Sequence, residues 1–104
     1  MKEDLDISEI AGARFSWAGN DPVVSGIAIA TDDGFSEFDC EVQIRAHADP
    51  VPASATCRDG EIVVIPVEPL NGVATGQTAV VYVGTRVLGQ FTINRTVSKT
   101  AVLN

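Results

Sequence analysis

Histidine occurs once in this chain, as do tryptophan, tyrosine and methionine, and cysteine occurs twice. The lone His47 would have to serve as base for any serine or cysteine nucleophile, and neither a Gly-x-Ser-x-Gly elbow nor a Cys-His signature accompanies it. His47 therefore reads as a solvent-facing loop residue. Zinc is excluded on similar grounds, because Cys40, His47 and Cys57 include no short ligand pair. There is no phosphate loop and no dinucleotide fingerprint. No catalytic residue, metal or cofactor is expected, and the chain reads as a non-enzyme.

Positive charge is scarce too. Seven basic residues stand against 14 acidic ones, a net charge of −7, which argues against a nucleic-acid partner because phosphates attract basic surfaces. The deficit is uneven. All 14 acids lie before position 70, whereas residues 71–104 carry Arg86, Arg95 and Lys99 with no acid. No stretch approaches the roughly 20 apolar residues that span a bilayer, so no membrane is expected. Met1 is followed by Lys2-Glu3-Asp4-Leu5-Asp6 and not by an apolar signal region, which predicts a protein made in the cytoplasm with reduced cysteines. The Asn94-Arg95-Thr96 glycosylation pattern is then a coincidence. Cys40 reads as a small buried hydrophobe, with a bridge to Cys57 as the alternative.

Long helical periodicity is also missing, and what is present is strand pattern. Val, Ala and Ile supply most of the 45% hydrophobic content. A two-residue turn at Asp33-Gly34 would set Val23, Ser25, Ile27 and Ile29 opposite Ile44, Val42, Cys40 and Phe38 on one face of a hairpin over 22–45. On the other face Glu37, Asp39 and Glu41 would follow one another roughly 7 Å apart. That spacing suits a solvated acidic face better than a calcium site or a glycosidase pair.

Asp49-Pro50-Val51-Pro52 predicts an extended crossover between sheets. Asp59-Gly60 predicts a second hairpin, pairing Arg58 with Glu61, Cys57 with Ile62 and Ala55 with Val64. Gly84-Thr85 predicts a third, pairing Tyr82 with Val87, Val80 with Gly89 and Thr78 with Phe91; Tyr82 or Phe91 would lean over the gap at Gly89. A strand is expected over 13–18, and residues 96–103 could add a last one.

These signals predict an all-β fold: a two-sheet antiparallel sandwich of about seven or eight strands, immunoglobulin-like, with a small Greek-key barrel as the alternative. Residues 1–12 are expected to form an acidic N-terminal arm and 13–104 a single β-sandwich domain. With only Leu5, Ile7 and Ile10 as anchors, the arm is expected to pack poorly on its own, so that its loss leaves the domain stable.

The acidic all-β profile, the arm at 2–10, the hairpins at Asp33-Gly34, Asp59-Gly60 and Gly84-Thr85, and the missing catalytic set together resemble the small β-sandwich proteins that phages place on capsids or baseplates. The resemblance implies a structural protein, a virion decoration or attachment module docking through its arm or an edge strand on a capsid or tail protein, and on itself as a further partner. Leu5, Ile7 and Ile10 of the arm, the aromatic pair Phe15 and Trp17, and the cations Arg86, Arg95 and Lys99 are the candidate partner-binding residues. The alternative is a carbohydrate-binding or adhesion module that uses Trp17 and Tyr82 as stacking surfaces.

Overall fold

A computed structural model describes residues 7–13, 15–18, 21–44 and 49–98. His47, Leu5 and Lys99 lie outside them. The described residues are all-β and antiparallel, as the sequence predicts, with β1 (Ile7–Gly12), β2 (Phe15–Trp17), β3 (Ala30–Thr31), β4 (Gly34–Ile44), β5 (Val51–Arg58), β6 (Glu61–Pro66), β7 (Thr78–Val83), β8 (Arg86–Thr92) and β9 (Arg95–Ser98). Hydrogen bonding links them in the order β2-β8-β7-β4-β5-β6-β1-β9, with β3 beside β4.

This path closes on itself. Ala11 pairs with Arg95 and Phe15 with Phe91, so β1–β2 and β8–β9 advance by equal steps and form two long, bent strands in one register. Because β1 also pairs with β6 through Ile10↔Val64, the bent pair joins both ends of the sheet. Of the two architectures expected, closure is the barrel form. Strands β7-β4-β5-β6 follow the Greek-key order, three hairpin-linked strands with the fourth returning beside the first. Among the described residues, closure pairs the long strands on both sides and leaves only the short β2, β3 and β9 with one partner each, so docking through a long edge strand loses its basis.

Alternation on β4 places Phe38, Cys40, Val42 and Ile44 inside and Asp39 and Glu41 outside, as predicted. Phe38→Ala should therefore cost about 3–5 kcal/mol, whereas Asp39→Ala should stay within about 0.5, measured by urea denaturation. Equal costs would mean the parity is wrong. The Asp59-Gly60 hairpin holds its predicted register throughout, and φ is positive at both turn residues (56° and 78°), the geometry of a type I′ turn.

The hairpin predicted over 22–45 does not form. The chain turns at Asp32-Asp33, one residue early, so Ala30 pairs with Phe35 and Thr31 with Gly34. Gly34 serves close packing, not the turn: a Cβ there would run into the backbone carbonyl of Cys57 on β5. Residues 21–28 leave the sheet as a coiled loop. The Ser25 amide donates to the Asp21 carbonyl (2.9 Å), and the Ile27 and Ala28 amides donate to that of Pro22 (2.8 and 3.0 Å). Val23 and Ile27 pack on the core, while Val24 and Ile29 remain 69% and 74% exposed. Ile29 thus lies outside, although the predicted register had it inside.

Three further expectations change. Val51 and Pro52 are no crossover but the start of β5, directly paired with Val42 and Glu41. The β7–β8 register holds from Val83↔Arg86 to Tyr82↔Val87, then a bulge moves it by one, so Gly89 faces Val81 and Thr78 faces Thr92. The expected arm is, from Ile7 onward, the strand β1, with Ile7, Ile10 and Ala11 buried. A sequence reading that weighs hydrophobic content locally sees too few anchors there. The missing ones are supplied by Val64, Thr96 and Leu70, which lie more than fifty residues away in sequence.

Candidate functional site

The two ends of the barrel are closed differently. At one, the long β6–β7 connection crosses over, tied to β1 by paired hydrogen bonds between Ile7 and Leu70 (2.7 and 2.9 Å), and its Leu70 and Val73 pack against the core. At the other, aromatic rings extend from the core to the mouth. Phe91 meets Phe15 at 5.8 Å between ring centroids, Phe15 meets Trp17 at 3.9 Å, Trp17 meets Phe35 at 5.8 Å, and Phe35 meets Phe38 at 5.7 Å. Phe15 and Trp17, which sequence reasoning treated as either core or platform, are both: half-buried, they pack on the core and line an open cavity of about 320 Å³ with Asp21, Val23, Phe35 and Cys57.

The walls differ in charge. Outward positions of β4 carry Glu37, Asp39 and Glu41. Those of β2, β8 and β7 carry Ser16, Gln90, Thr92, Thr78, Val80 and Tyr82, with exposed Arg86 at the hairpin tip, and this wall holds no acid. The Tyr82 hydroxyl donates to Gln43 Oε1 (2.9 Å), fixing the ring against β4.

Arg95 is engaged elsewhere. Its Nη2 lies 2.7 Å from Glu61 Oε1 and its Nη1 3.5 Å from Glu9 Oε2, uniting β9, β6 and β1 on the outer surface. The hydrogen bonds from Arg95 hold the Glu61 carboxyl below its usual range, and Glu61 in turn raises Arg95. Of the predicted partner-binding residues, then, the structure brings Phe15 and Trp17 together, buries Ile7 and Ile10, leaves Arg86 exposed and pairs Arg95. What sequence reasoning missed is the acidic turn cluster around the mouth and the exposed Val24 and Ile29. The signal was the stretch from Asp21 to Asp33, which was absorbed into a strand pairing that does not exist.

Both cysteines carry free thiols. Burial, with Asp39 and Glu41 alongside, pushes the Cys40 thiol up to about 12; burial and then Asp33 push Cys57 up. At pH 8 Cys40 would therefore be almost wholly in the unreactive thiol form. Native protein should accordingly leave Cys40 unmodified by a thiol reagent, and unfolding without reductant should release both cysteines to it. Finding neither would establish a bridge. Among the described residues no group of three His, Cys, Asp or Glu side chains is placed to hold a metal ion.

Residues 8–93 match the model of a family described as the aminomethyltransferase beta-barrel domain. The chain is also similar to curated proteins named tRNA-specific 2-thiouridylase MnmA. That of Leifsonia xyli subsp. xyli (strain CTCB07) is 62% identical over 101 residues, which cover 97% of this chain and 25% of the relative. That of Clavibacter sepedonicus is 55% identical over 104 residues, 96% of this chain and 24% of the relative. That of Renibacterium salmoninarum is 50% identical over 95 residues, 86% and 23% respectively. This chain spans about a quarter of the length of the curated relatives it matches.

These similarities overturn the virion reading, and with it the capsid or tail partners and the carbohydrate-binding alternative. The acidic all-β profile behind that reading is one that many small barrels share, so it could not discriminate among them. They overturn the expectations of a non-enzyme and of no nucleic acid as well, since the relatives are named as enzymes specific for tRNA. Overall negative charge failed as an exclusion because it was read for the chain as a whole, whereas one wall of the barrel carries none of it. The cytoplasmic part of the expected location agrees with these relatives, and the virion does not. A closed antiparallel barrel whose matched residues run from β1 to Ile93 thus meets a family defined by such a barrel, and the chain belongs to the aminomethyltransferase beta-barrel domain family.

Proposed function

We propose that this chain is the C-terminal β-barrel domain of a tRNA-specific 2-thiouridylase, and that it serves the enzyme by helping to seat the tRNA. The observation that carries the reading is the 62% identity to a protein of that name over 97% of the chain. The barrel geometry indicates which wall meets the RNA. Phosphates are repelled by Glu37, Asp39 and Glu41 on β4, so the acid-free wall of β2, β8 and β7 is the side on which an RNA backbone is tolerated. There Ser16, Thr78, Gln90 and Thr92 offer hydroxyls and an amide of the kind that reads ribose 2′-hydroxyls, and Arg86 supplies the positive charge.

The test is a thiouridylase that carries this barrel, with Arg86→Glu and Gln90→Glu combined. Its tRNA Kd and the KM for tRNA should rise about tenfold or more at low salt, less at high salt, with kcat little changed. Glu37→Gln on β4, the acidic strand that adjoins this wall, should not weaken binding. Unchanged Kd and unchanged 2-thiouridine formation in the double variant would overturn the reading.

A further inference from the structure

Among the described residues, the loop over 21–29 exposes two of the three most solvent-accessible large apolar side chains, and it does so from a fixed frame. Asp21 Oδ1 accepts from the Val24 amide (2.8 Å), the Asp21 and Pro22 carbonyls accept the amides of Ser25, Ile27 and Ala28, and Pro22 and Ala28 are buried. Ile29 is held at both backbone groups by Ser36: its amide donates to Ser36 Oγ (3.0 Å) and its carbonyl accepts from the Ser36 amide (2.8 Å). A loop tied down this way cannot fold Val24 and Ile29 inward. Apolar side chains held rigidly in water contribute nothing to the barrel, but they suit an interface, because the ordering needed for binding is already in place.

The surroundings state the chemistry of what covers them. Val23, next to Val24, lines the cavity at the barrel mouth with Trp17 and Phe35. Around that mouth stand Asp21, the turn Asp32-Asp33 and the turn at Asp59, and the two turns are joined by the Asp59 amide donating to the Asp33 carbonyl (2.8 Å). Among the described residues, the adjoining surface beside Asp59 carries Arg58 and Arg95, the latter paired with Glu61. An apolar floor inside an acidic rim repels a phosphate backbone and attracts a basic surface that carries an apolar side chain.

We infer that this mouth, with Trp17, Val24 and Ile29 as its apolar contacts, docks a basic patch on the remainder of the thiouridylase. The inference rests on the function proposed above. It is supported by the relatives' length, since about three quarters of each lies outside the matched region. The barrel then has two working sides, the acid-free wall toward tRNA and the acidic mouth toward the rest of the enzyme.

The experiment uses the full-length thiouridylase carrying this barrel, with a protease site introduced at the junction before it. After cleavage, association of the two pieces is followed by analytical ultracentrifugation at low and high salt. Association should hold at low salt and weaken as salt rises. Val24→Asp with Ile29→Asp should weaken it at least tenfold, and Asp32→Lys should weaken it while leaving the barrel's melting temperature in place. Arg86→Glu should leave association intact. Should the pieces associate while the mouth variants bind as tightly as the parent, the docking site is wrong and the tRNA reading survives. Pieces that never associate, together with full thiolation by the remainder alone, would remove both. A loss of tRNA affinity in the mouth variants with association unchanged would make the occupant RNA and overturn the inference.

Discussion

Excision of residues 7–12 should unfold the barrel outright, and Ile10→Ala alone should lose about 2–5 kcal/mol, a large share of the roughly 5–15 kcal/mol that holds a domain together. Ile10 is fully buried, sits opposite Val64 and Thr96, and belongs to the strand that joins β6 to β9. Its removal leaves a cavity between two strands that have no other common neighbour. Loss of the whole strand goes further, because backbone donors and acceptors of both β6 and β9 lose their partners as the apolar interior opens to water. This reverses the expectation of a dispensable arm. Urea denaturation followed by far-ultraviolet circular dichroism would decide it: an Ile10→Ala midpoint within error of the parent's would show that β1 does not close the barrel.

Gly89→Ala should cost about 3 kcal/mol, at the upper end of what overpacking usually costs, although it adds a single methyl group. A Cβ at Gly89 would collide with the Phe15 ring and with the Ser16 carbonyl oxygen. The ring could rotate, but the carbonyl belongs to β2 and can yield only if the Ser16↔Gln90 pairing opens. Phe15 in turn packs against Trp17 with the rings tilted at 54°, so the tryptophan environment changes with it. The expected signature is a lowered melting temperature together with a red shift of the single tryptophan's emission. Val87→Ala, on the exposed side of the same strand, should stay within about 0.5 kcal/mol and leave the emission alone. An unshifted spectrum and unchanged stability in Gly89→Ala would mean that β2 does not lie on β8.

The same glycine illustrates what can be read from a sequence of this kind. The hairpin at Gly84-Thr85 was legible because turn chemistry and alternation agree there, yet the bulge after Tyr82 was not, since nothing local marks the extra residue. A gap above Gly89 was inferable; that Phe15 fills it was not, because β2 lies more than seventy residues earlier. Asp33-Gly34 misled for a different reason. A glycine required by the nearness of the Cys57 backbone looks in sequence the same as one required by a turn. The inward parity of β4 survived that error because its face is set by the ladders to β5 and β7 and not by the pairing with 22–29 that does not form. At the candidate site the aromatic pair was visible as residues at strand spacing, and the acidic rim was not, because it is assembled from turns that are distant in sequence.

The bent strands that close the barrel also dictate an order of events. β1 pairs with β9 across nearly the full length of the chain, as in Glu9↔Val97, and a contact of such sequence separation forms slowly because the intervening loop must first lose its freedom. On the ribosome β1 emerges before β8 and β9 and must wait for them, while the hairpin at Asp59-Gly60 can pair as soon as it is clear of the exit tunnel. During that interval Ile7 and Ile10 are unprotected, and the four acids among residues 3–9 are then the charges that keep the waiting strand from its neighbours on other chains.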